Sequence, residues 1–429
     1  MQTRILRVVC VLLVAAVALP ALASHPPARL AGTLLAPVAG DQVPAQLQPV
    51  ERVHVALDHA PAAISWAVPA DKAIDAQPRP YQAISRQYLI NASGAELQRG
   101  VPLSLTAPGA IVRISPLGSD SAAIQANTVQ FASGGLHLDA DKASVVVASG
   151  QQMARAGMPV QRGSAVFKLN ARVQPGTARI TAAGARGNYL IQVFEPHSPY
   201  ALQMAAQRGT SLAGQSVRVT VGFAQPSGGA NIAPKMMRAR LTQVSGVVEA
   251  PDGWSGNVDF SRGPAGTYVA NFTPPAAHAG ERGLWEIHAF ARGEAGGRPM
   301  VREATNAFAV VIPTARFSGS LTELATHAGQ DFDVDVGINV AAASRYAVSG
   351  VLYGHAANGQ LRPAVYAQAA AWLQPGKSVP IRLEFSAPAL ASSGLKGPYQ
   401  LRDLTLDDQQ QLGVLERRAV AATGLAASP

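Results

Sequence analysis

An internal repeat constrains the fold of this 429-residue chain more than any other feature. Residues 213–223 (AGQSVRVTVGF) recur as residues 328–338 (AGQDFDVDVGI), and residues 283–289 recur as residues 397–403. The offsets are 115 and 114 residues, so the two landmarks keep one register. In the first pair a turn is followed by alternating apolar and polar residues, which predicts a half-buried strand. The repeat therefore predicts two related β domains in tandem.

The length of the repeat favours a particular β fold. Domains of this size, built from short alternating strands, are typical of immunoglobulin-like sandwiches. We therefore expect an all-β chain: tandem immunoglobulin-like β-sandwiches over residues 198–312 and 314–425, preceded by a larger β-rich N-terminal domain over residues 51–196. Trp285 and Tyr399 would begin the penultimate strands, where an aromatic residue can bond back to the preceding loop.

The N-terminal residues have the three parts of a secretory signal peptide. Two arginines precede an apolar stretch over residues 8–19, and residues 21–23 (ALA) form a small-x-small cleavage sequence. The apolar stretch is shorter than the ~20 residues that a membrane-spanning helix needs. We expect removal of residues 1–23, which implies a periplasmic or extracellular protein without a transmembrane anchor. Residues 24–50 are rich in Pro and Ala and are expected to form an extended leader.

Composition limits the available chemistry and partners. The single cysteine, Cys10, lies inside the expected signal peptide, so the exported chain would have no disulfide, thiolate nucleophile or thiolate metal ligand. The net charge of +9 comes mostly from scattered arginines without a basic stripe, which argues against nucleic-acid binding. Diffuse positive charge instead favours weak attraction to acidic polymers of the cell envelope. No cofactor motif is present.

Three segments carry a family resemblance: residues 109–117 (GAIVRISPL), 193–200 (VFEPHSPY) and 397–404 (GPYQLRDL). Together they resemble a secreted family of Gram-negative bacteria that is catalogued as a domain of unknown function. The resemblance covers about residues 86–418. It implies an N-terminal β domain followed by immunoglobulin-like domains in a periplasmic or extracellular protein, and it assigns no activity or catalytic residue.

Three carboxylates form a candidate metal site. Asp331, Asp333 and Asp335 alternate on one expected strand, so they share a face at intervals of about 6.6 Å. Calcium prefers such oxygen ligands. The first copy of the repeat has Ser216 and Arg218 at matching positions, which favours an ordinary solvated face instead.

Two groups of residues could support acid–base chemistry. Glu286 and His288 share one face of an expected strand, and His54, Asp58 and His59 lie near the leader. A Glu–His pair can transfer protons, but the sequence shows no third partner and no metalloprotease motif. A surface pair on a sandwich strand is the simpler interpretation for both groups.

Ser393 and Lys396 have the Ser-x-x-Lys spacing of penicillin-recognising enzymes. In those enzymes the serine opens a helix, whereas this segment is a glycine-containing turn before an expected strand. No Lys-Thr-Gly motif follows it. The match is therefore interpreted as coincidence.

Trp254 is a candidate contact for a partner or glycan. It lies in the turn-rich segment 251–256 (PDGWSG), where an exposed ring could stack on a sugar or anchor a protein. The alternative is a ring folded back over the edge of its own domain.

These features favour binding over catalysis. We expect an exported, non-enzymatic, multi-domain protein that binds or spaces components of the bacterial cell envelope, with an envelope protein or polysaccharide as partner. One alternative is a carbohydrate-binding accessory protein, which a row of exposed aromatic rings would favour. The other is a hydrolase, which would require a pocket in residues 51–196 lined by histidine and carboxylates.

Overall fold

The computed structural model describes residues 29–50, 57–69, 71–72, 74, 80–158, 160–224, 239–324 and 331–426. The expected signal peptide, His54 and the repeated residues 328–330 lie outside this part of the chain. The described residues are built mainly from antiparallel strands, which confirms the all-β prediction.

The strands and helices divide into three consecutive groups. The first group is β1 (Arg29–Thr33), β2 (Ala62–Ala67), β3 (Gln82–Ser85), β4 (Gln87–Ser93), α1 (Gly94–Arg99), β5 (Val101–Leu105), β6 (Ile111–Leu117), a 3₁₀ helix (Ala126–Thr128), β7 (Val129–Ser133), β8 (Leu136–Asp139), α2 (Ala140–Ala143), β9 (Ser144–Ser149), α3 (Gly150–Arg155), β10 (Ala165–Leu169), β11 (Gly176–Ala182) and β12 (Asn188–Phe194). The second is β13 (Leu202–Ala206), β14 (Thr210–Leu212), β15 (Val217–Phe223), β16 (Ala239–Glu249), β17 (Ser255–Asp259), β18 (Ser261–Arg262), a 3₁₀ helix (Pro264–Gly266), β19 (Tyr268–Phe272), a 3₁₀ helix (Ala276–His278), β20 (Trp285–Ala295) and β21 (Arg298–Val311). The third is β22 (Ala315–Leu324), β23 (Phe332–Val340), β24 (Ser344–His355), β25 (Leu361–Leu373), β26 (Gly376–Phe385), α4 (Ala387–Ser393), β27 (Lys396–Asp408) and β28 (Gly413–Leu425).

Strands β4 to β12 form the first sandwich. One layer has the order β4-β12-β6-β10-β9 and the other the order β5-β11-β7-β8. Alternate residues of both layers point inward, so Phe131 and Phe167 meet edge to face at 5.6 Å between ring centroids. Helix α3 begins at a capping box of Ser149 and Gln152 and returns the chain from β9 to β10.

The second and third sandwiches share one strand order. In the second, β13-β15-β19-β18 faces β21-β20-β16-β17, with β14 parallel to β21. In the third, β22-β23-β26 faces β28-β27-β24-β25. In each pair the first layer has the A-B-E order, and the second the G-F-C-C′ order, of immunoglobulin sandwiches. The repeated segments fall on equivalent strands, β15 with β23 and β20 with β27.

A buried aromatic residue lies near the start of one strand in each sandwich: the penultimate strand in the second and third, and the last strand, β12, in the first. The Tyr399 hydroxyl donates to the Leu395 carbonyl at 3.2 Å, four residues upstream. The Tyr189 hydroxyl donates to the Arg186 carbonyl at 2.8 Å. Trp285 is 1% exposed and anchors the core of the second sandwich. The bond back to the preceding loop is therefore made by the two tyrosines, as in the tyrosine corner.

The chain before residue 86 packs on the second and third sandwiches. Strand β1, in the expected leader, pairs with β22, and β2 pairs with β25. Strand β3 pairs with β13. The leader is thus extended but paired, and β2 and β3 lie away from the first sandwich although they fall within residues 51–196. Such pairing covers sheet edges that would otherwise leave backbone groups without partners.

Within the described ranges, no helix combines the length and the apolar character that crossing a membrane requires.

Candidate binding surfaces and domain junctions

A fully buried ion pair joins the first and second sandwiches. Arg302 of β21 and Glu195, just after β12, are both 0% exposed, with 2.7 Å between Nη2 and Oε2. Glu195 also accepts hydrogen bonds from the backbone N–H groups of Thr106 and Ala107, at 2.6 and 2.9 Å. Arg302 donates to the Ser198 hydroxyl at 2.9 Å. We call this network the first junction; it satisfies two charges that would be costly to bury alone.

The first junction also makes one sheet continuous across both sandwiches. Glu303 of β21 pairs with Gln87 of β4, so the layer β17-β16-β20-β21 continues into β4-β12-β6-β10-β9. The linker residue Ser198 is only 3% exposed. The first two sandwiches therefore meet through a desolvated contact rather than through a free linker.

A second buried network joins the second and third sandwiches. Asp408, 0% exposed, accepts hydrogen bonds from the hydroxyls of Thr314 and Ser344 at 2.8 and 2.7 Å. The Gln411 side chain accepts from the Ile312 N–H at 2.7 Å and donates to the Ile312 carbonyl at 2.8 Å. We call this network the second junction. It clamps the linker between β21 and β22 against the β27–β28 turn.

Two of the three aspartates proposed for calcium have protein partners of their own. Asp335 pairs with Arg382 at 2.8 Å, and Asp331 accepts from the Ala387 N–H at 2.8 Å. Burial, reinforced by Glu384, raises the pKa of Asp333 to about 6, and its Oδ1 has no hydrogen-bond partner. Among the described residues, no three His, Cys, Asp or Glu side chains are grouped so as to hold a metal ion.

Glu286 and His288 do lie together, with partners that the sequence did not reveal. His288 Nε2 lies 3.6 Å from Glu286 Oε2, and His288 Nδ1 lies 3.0 Å from the Thr305 hydroxyl and 4.0 Å from Glu303 Oε1. Burial raises the pKa of Glu303, and its Oε2 has no hydrogen-bond partner. The group could exchange protons, but it lies on an outer sheet face beside the exposed ring of Phe290.

Trp254 is partly exposed and folds over its own sandwich. Its ring stacks on His278 with 4.9 Å between ring centroids, and it lies 5.8 Å from the core residue Trp285. Asp252 holds the arrangement, accepting from the Trp254 N–H at 2.9 Å and contacting His278 Nδ1 at 2.7 Å. These two bonds lower the pKa of Asp252. One face of the indole is therefore already used in packing.

Ser393 ends helix α4 instead of opening it. Its hydroxyl donates to the Leu390 carbonyl at 2.7 Å and accepts from the Leu395 N–H at 3.2 Å. Gly394 follows in the left-handed conformation that ends helices. Lys396 begins β27, so the Ser-x-x-Lys spacing here spans the end of a helix.

Aromatic rings lie along the outer face of β2 and β25, where Trp66 is exposed and Tyr366 and Trp372 are half-buried. Trp66 is 50% exposed and lies 4.5 Å from Tyr366, its partner across the strand pair. His59, one of the proposed acid–base residues, stacks instead on Trp372 at 3.9 Å and 12°. Tyr366 and Trp372 share a face about 20 Å apart along β25. We call these four residues the aromatic platform.

A groove crosses the outer face of the first sandwich. Its volume is about 250 Å³. The floor is the sheet β4-β12-β6-β10, and Met153 of α3 and Val160 form one wall. Its lining residues are Gln87, Ile111, Arg113, Met153, Val160, Val166, Gln192 and Phe194. We call this the sheet groove; its lining contains no histidine and no carboxylate.

Sequence reasoning missed the junctions, the platform and the groove because each combines distant residues. Glu195 and Arg302 are over 100 positions apart in the sequence. The adjacent residues Arg302 and Glu303, taken alone, predict a pair of solvent-exposed charges. Trp66 was the available signal for the platform, since it stands in an apolar run that predicts a strand. Its pairing with β25 depends on tertiary structure.

Two family models match the chain. The N-terminal domain of a family described as a domain of unknown function (DUF4785) matches residues 54–195, and the C-terminal domain of the same family matches residues 318–423. No curated protein matches the chain.

A solved structure shares the fold over almost the whole chain. The crystal structure of a DUF4785 family protein from Legionella pneumophila aligns with a TM-score of 0.65 at 21% identity, covering 89% of this chain and 98% of that one. Salmonella alpha-2-macroglobulin reacted with methylamine aligns with a TM-score of 0.18 at 9% identity. The alignment covers 81% of this chain and 23% of that one. A tetra-tandem repeat from the extending region of a large adhesion protein aligns with a TM-score of 0.19 at 12% identity. The alignment covers 86% of this chain and 82% of that one.

Proposed function

We propose that this chain, which carries the N-terminal and C-terminal DUF4785 domains, is an exported, non-enzymatic binding protein of the bacterial cell envelope. Its three sandwiches would act as one scaffold that holds binding faces at fixed separations. The observation that carries this proposal is the pair of buried junctions. Inter-domain contacts with desolvated charges resist the free rotation that exposed linkers allow.

The surfaces of the scaffold also favour binding. The aromatic platform and the sheet groove present rings, apolar side chains and amides on outer faces of sheets. A hydrolase site in the N-terminal β domain has less support, since the sheet groove lacks the converging histidine and carboxylates that hydrolysis would use.

Export gives the first prediction. Protein recovered from the periplasm or the medium should begin at Ser24, because residues 21–23 form the expected cleavage sequence. N-terminal sequencing of each fraction checks this. Replacing Ala23 with a bulky residue such as Phe should block cleavage and leave the longer chain in the membrane fraction. An intact Met1 in soluble exported protein would contradict both the signal peptide and the proposed location.

The aromatic platform favours a more specific candidate, carbohydrate binding. Sugar rings stack on exposed aromatic faces, and Trp66 and Tyr366 present adjacent rings at the sheet edge formed by β2. Trp372 extends the row along the same strand. An extended polysaccharide could lie along this row, whereas a compact ligand would contact only one end.

Replacing Trp66 with Ala should therefore weaken polysaccharide binding about tenfold or more, which corresponds to ~1.4 kcal/mol. Because half of the side chain is already exposed, the melting temperature should change little. Co-sedimentation with peptidoglycan sacculi, and with cellulose and chitin as comparison polymers, measures the binding.

Trp254→Ala is the matched control for this experiment. Trp254 packs against Trp285, so its loss should lower the melting temperature while leaving sedimentation with the polymer unchanged. Loss of binding in Trp254→Ala but not in Trp66→Ala would move the contact to the segment around Trp254. If the unmodified protein sediments with none of the polymers, the carbohydrate proposal fails while the export prediction still stands.

A further inference from the structure

The sheet groove contains a cation without a counter-ion. Arg113 lies on β6, with Gln192 of β12 and Val166 of β10 as its cross-strand neighbours. Its side chain is half-buried, and among the described residues its guanidinium makes no hydrogen bond or ion pair. A partly desolvated guanidinium is normally paired, since its five donors are costly to leave unsatisfied.

The charges around Arg113 favour an anion. Lys168 lies on the same face, one strand away, opposite Ile111, and it is exposed. Arg155 stands in the last turn of α3, whose Met153 forms the groove wall. Glu303, a carboxylate on the same sheet face, lies three strand positions from β6, about 14 Å away. The groove therefore has an unneutralised positive end.

The remaining lining specifies what the anion is attached to. Ile111, Val160, Val166 and Phe194 offer apolar surface, and Met153 offers a side chain that adapts to irregular shapes. At roughly 30 Å³ for each water-sized group, about 250 Å³ accommodates on the order of eight non-hydrogen atoms. That space suits a medium-length aliphatic chain lying along the sheet.

We propose that the sheet groove binds an aliphatic carboxylate of medium chain length. The carboxylate takes two parallel hydrogen bonds from the Arg113 guanidinium, a geometry that matches the planar donor fork. The Gln87 and Gln192 amides, which already bond to each other at 2.7 Å, border the head group. The chain lies between Phe194, Ile111 and the α3 wall. This site is separate from the aromatic platform and does not depend on carbohydrate binding.

Calorimetry on the purified full chain tests the site with three probes. Octanoate has both the head group and the chain, octanol has the chain alone, and acetate has the head group alone. We expect octanoate to bind at least tenfold more tightly than octanol, and acetate to show no measurable binding. Equal binding of octanoate and octanol, or no binding of octanoate, would overturn the proposal. Binding of a short peptide with a free carboxyl end, without octanoate binding, would also overturn it.

Variants then assign the contact to Arg113. Arg113→Ala should weaken octanoate binding at least tenfold, and Arg113→Lys should give an intermediate value because it keeps the charge without the fork. Arg218→Ala, at an exposed position on β15, is the matched control and should bind as the unmodified chain does. If Arg113→Ala lowers the melting temperature, Met153→Asp provides the second test, because it leaves Arg113 in place and puts a repelling carboxylate on the wall. Unchanged affinity in Met153→Asp or in folded Arg113→Ala would refute the assignment.

Discussion

Replacing Arg302 with Met should lower the free energy of unfolding of the second sandwich by about 3–5 kcal/mol. Glu195 would remain fully buried with its charge uncompensated, and the Ser198 hydroxyl would lose a donor. Urea unfolding should be followed by tryptophan fluorescence in a Trp66→Phe, Trp372→Phe background. The signal then comes from Trp254 and Trp285 alone, which separates this sandwich from the third in a multi-domain chain.

Two further variants distinguish the buried pair from a general effect of losing an arginine. Arg240→Met, in the same sandwich, breaks the exposed pair with Glu294 and should cost less than about 1 kcal/mol. Adding Glu195→Gln to Arg302→Met should recover part of the lost stability, because no unpaired charge remains at the junction. Similar losses in Arg302→Met and Arg240→Met would show that the first junction does not hold the sandwiches together.

The strand pattern could be predicted from the sequence because it is local. In β15 and β23 each inward residue alternates with an outward one, and burial follows that alternation almost residue by residue. The aromatic residue of the penultimate strand was predicted for the same reason, since a fixed short loop precedes Tyr399. Repetition of both segments then predicted two related β domains in tandem.

What joins these units could not be predicted in the same way. Pro-rich residues 24–50 resemble a linker, yet Gln42 is 5% exposed and its backbone pairs with Arg417 of β28. That pairing depends on an open sheet edge some 370 residues away, which no local pattern encodes. The sheet groove is similar, because Arg113 differs from other scattered arginines only through the half-buried face on which it lies.

The second junction gives the other large expected effect. Asp408→Ala should lower the free energy of unfolding by about 3–5 kcal/mol, since it leaves several buried donors without an acceptor at ~1–3 kcal/mol each. The hydroxyls of Thr314 and Ser344, the Gln411 amide and the Gln410 N–H all lose hydrogen bonds. Circular dichroism during urea unfolding measures the loss. The third sandwich should also separate from the other two in a distinct transition.

Asp407→Asn, one residue away, is the matched control and should have the opposite sign at neutral pH. Burial raises the pKa of Asp407 from 3.8 to about 6, so the folded chain holds this proton more tightly than the unfolded chain. Its contribution to stability is present in full below pH ~4 and is lost as the pH rises through about 6.

At pH 7.5 the charged carboxylate therefore costs up to ~3 kcal/mol, and Asp407→Asn should be more stable than the unmodified chain by roughly 1–3 kcal/mol. The difference should shrink to near zero below pH ~3, where Asp407 is neutral in both the folded and the unfolded chain. A loss of stability in Asp407→Asn as large as that in Asp408→Ala would mean that the turn, rather than the Asp408 hydrogen bonds, secures the third sandwich.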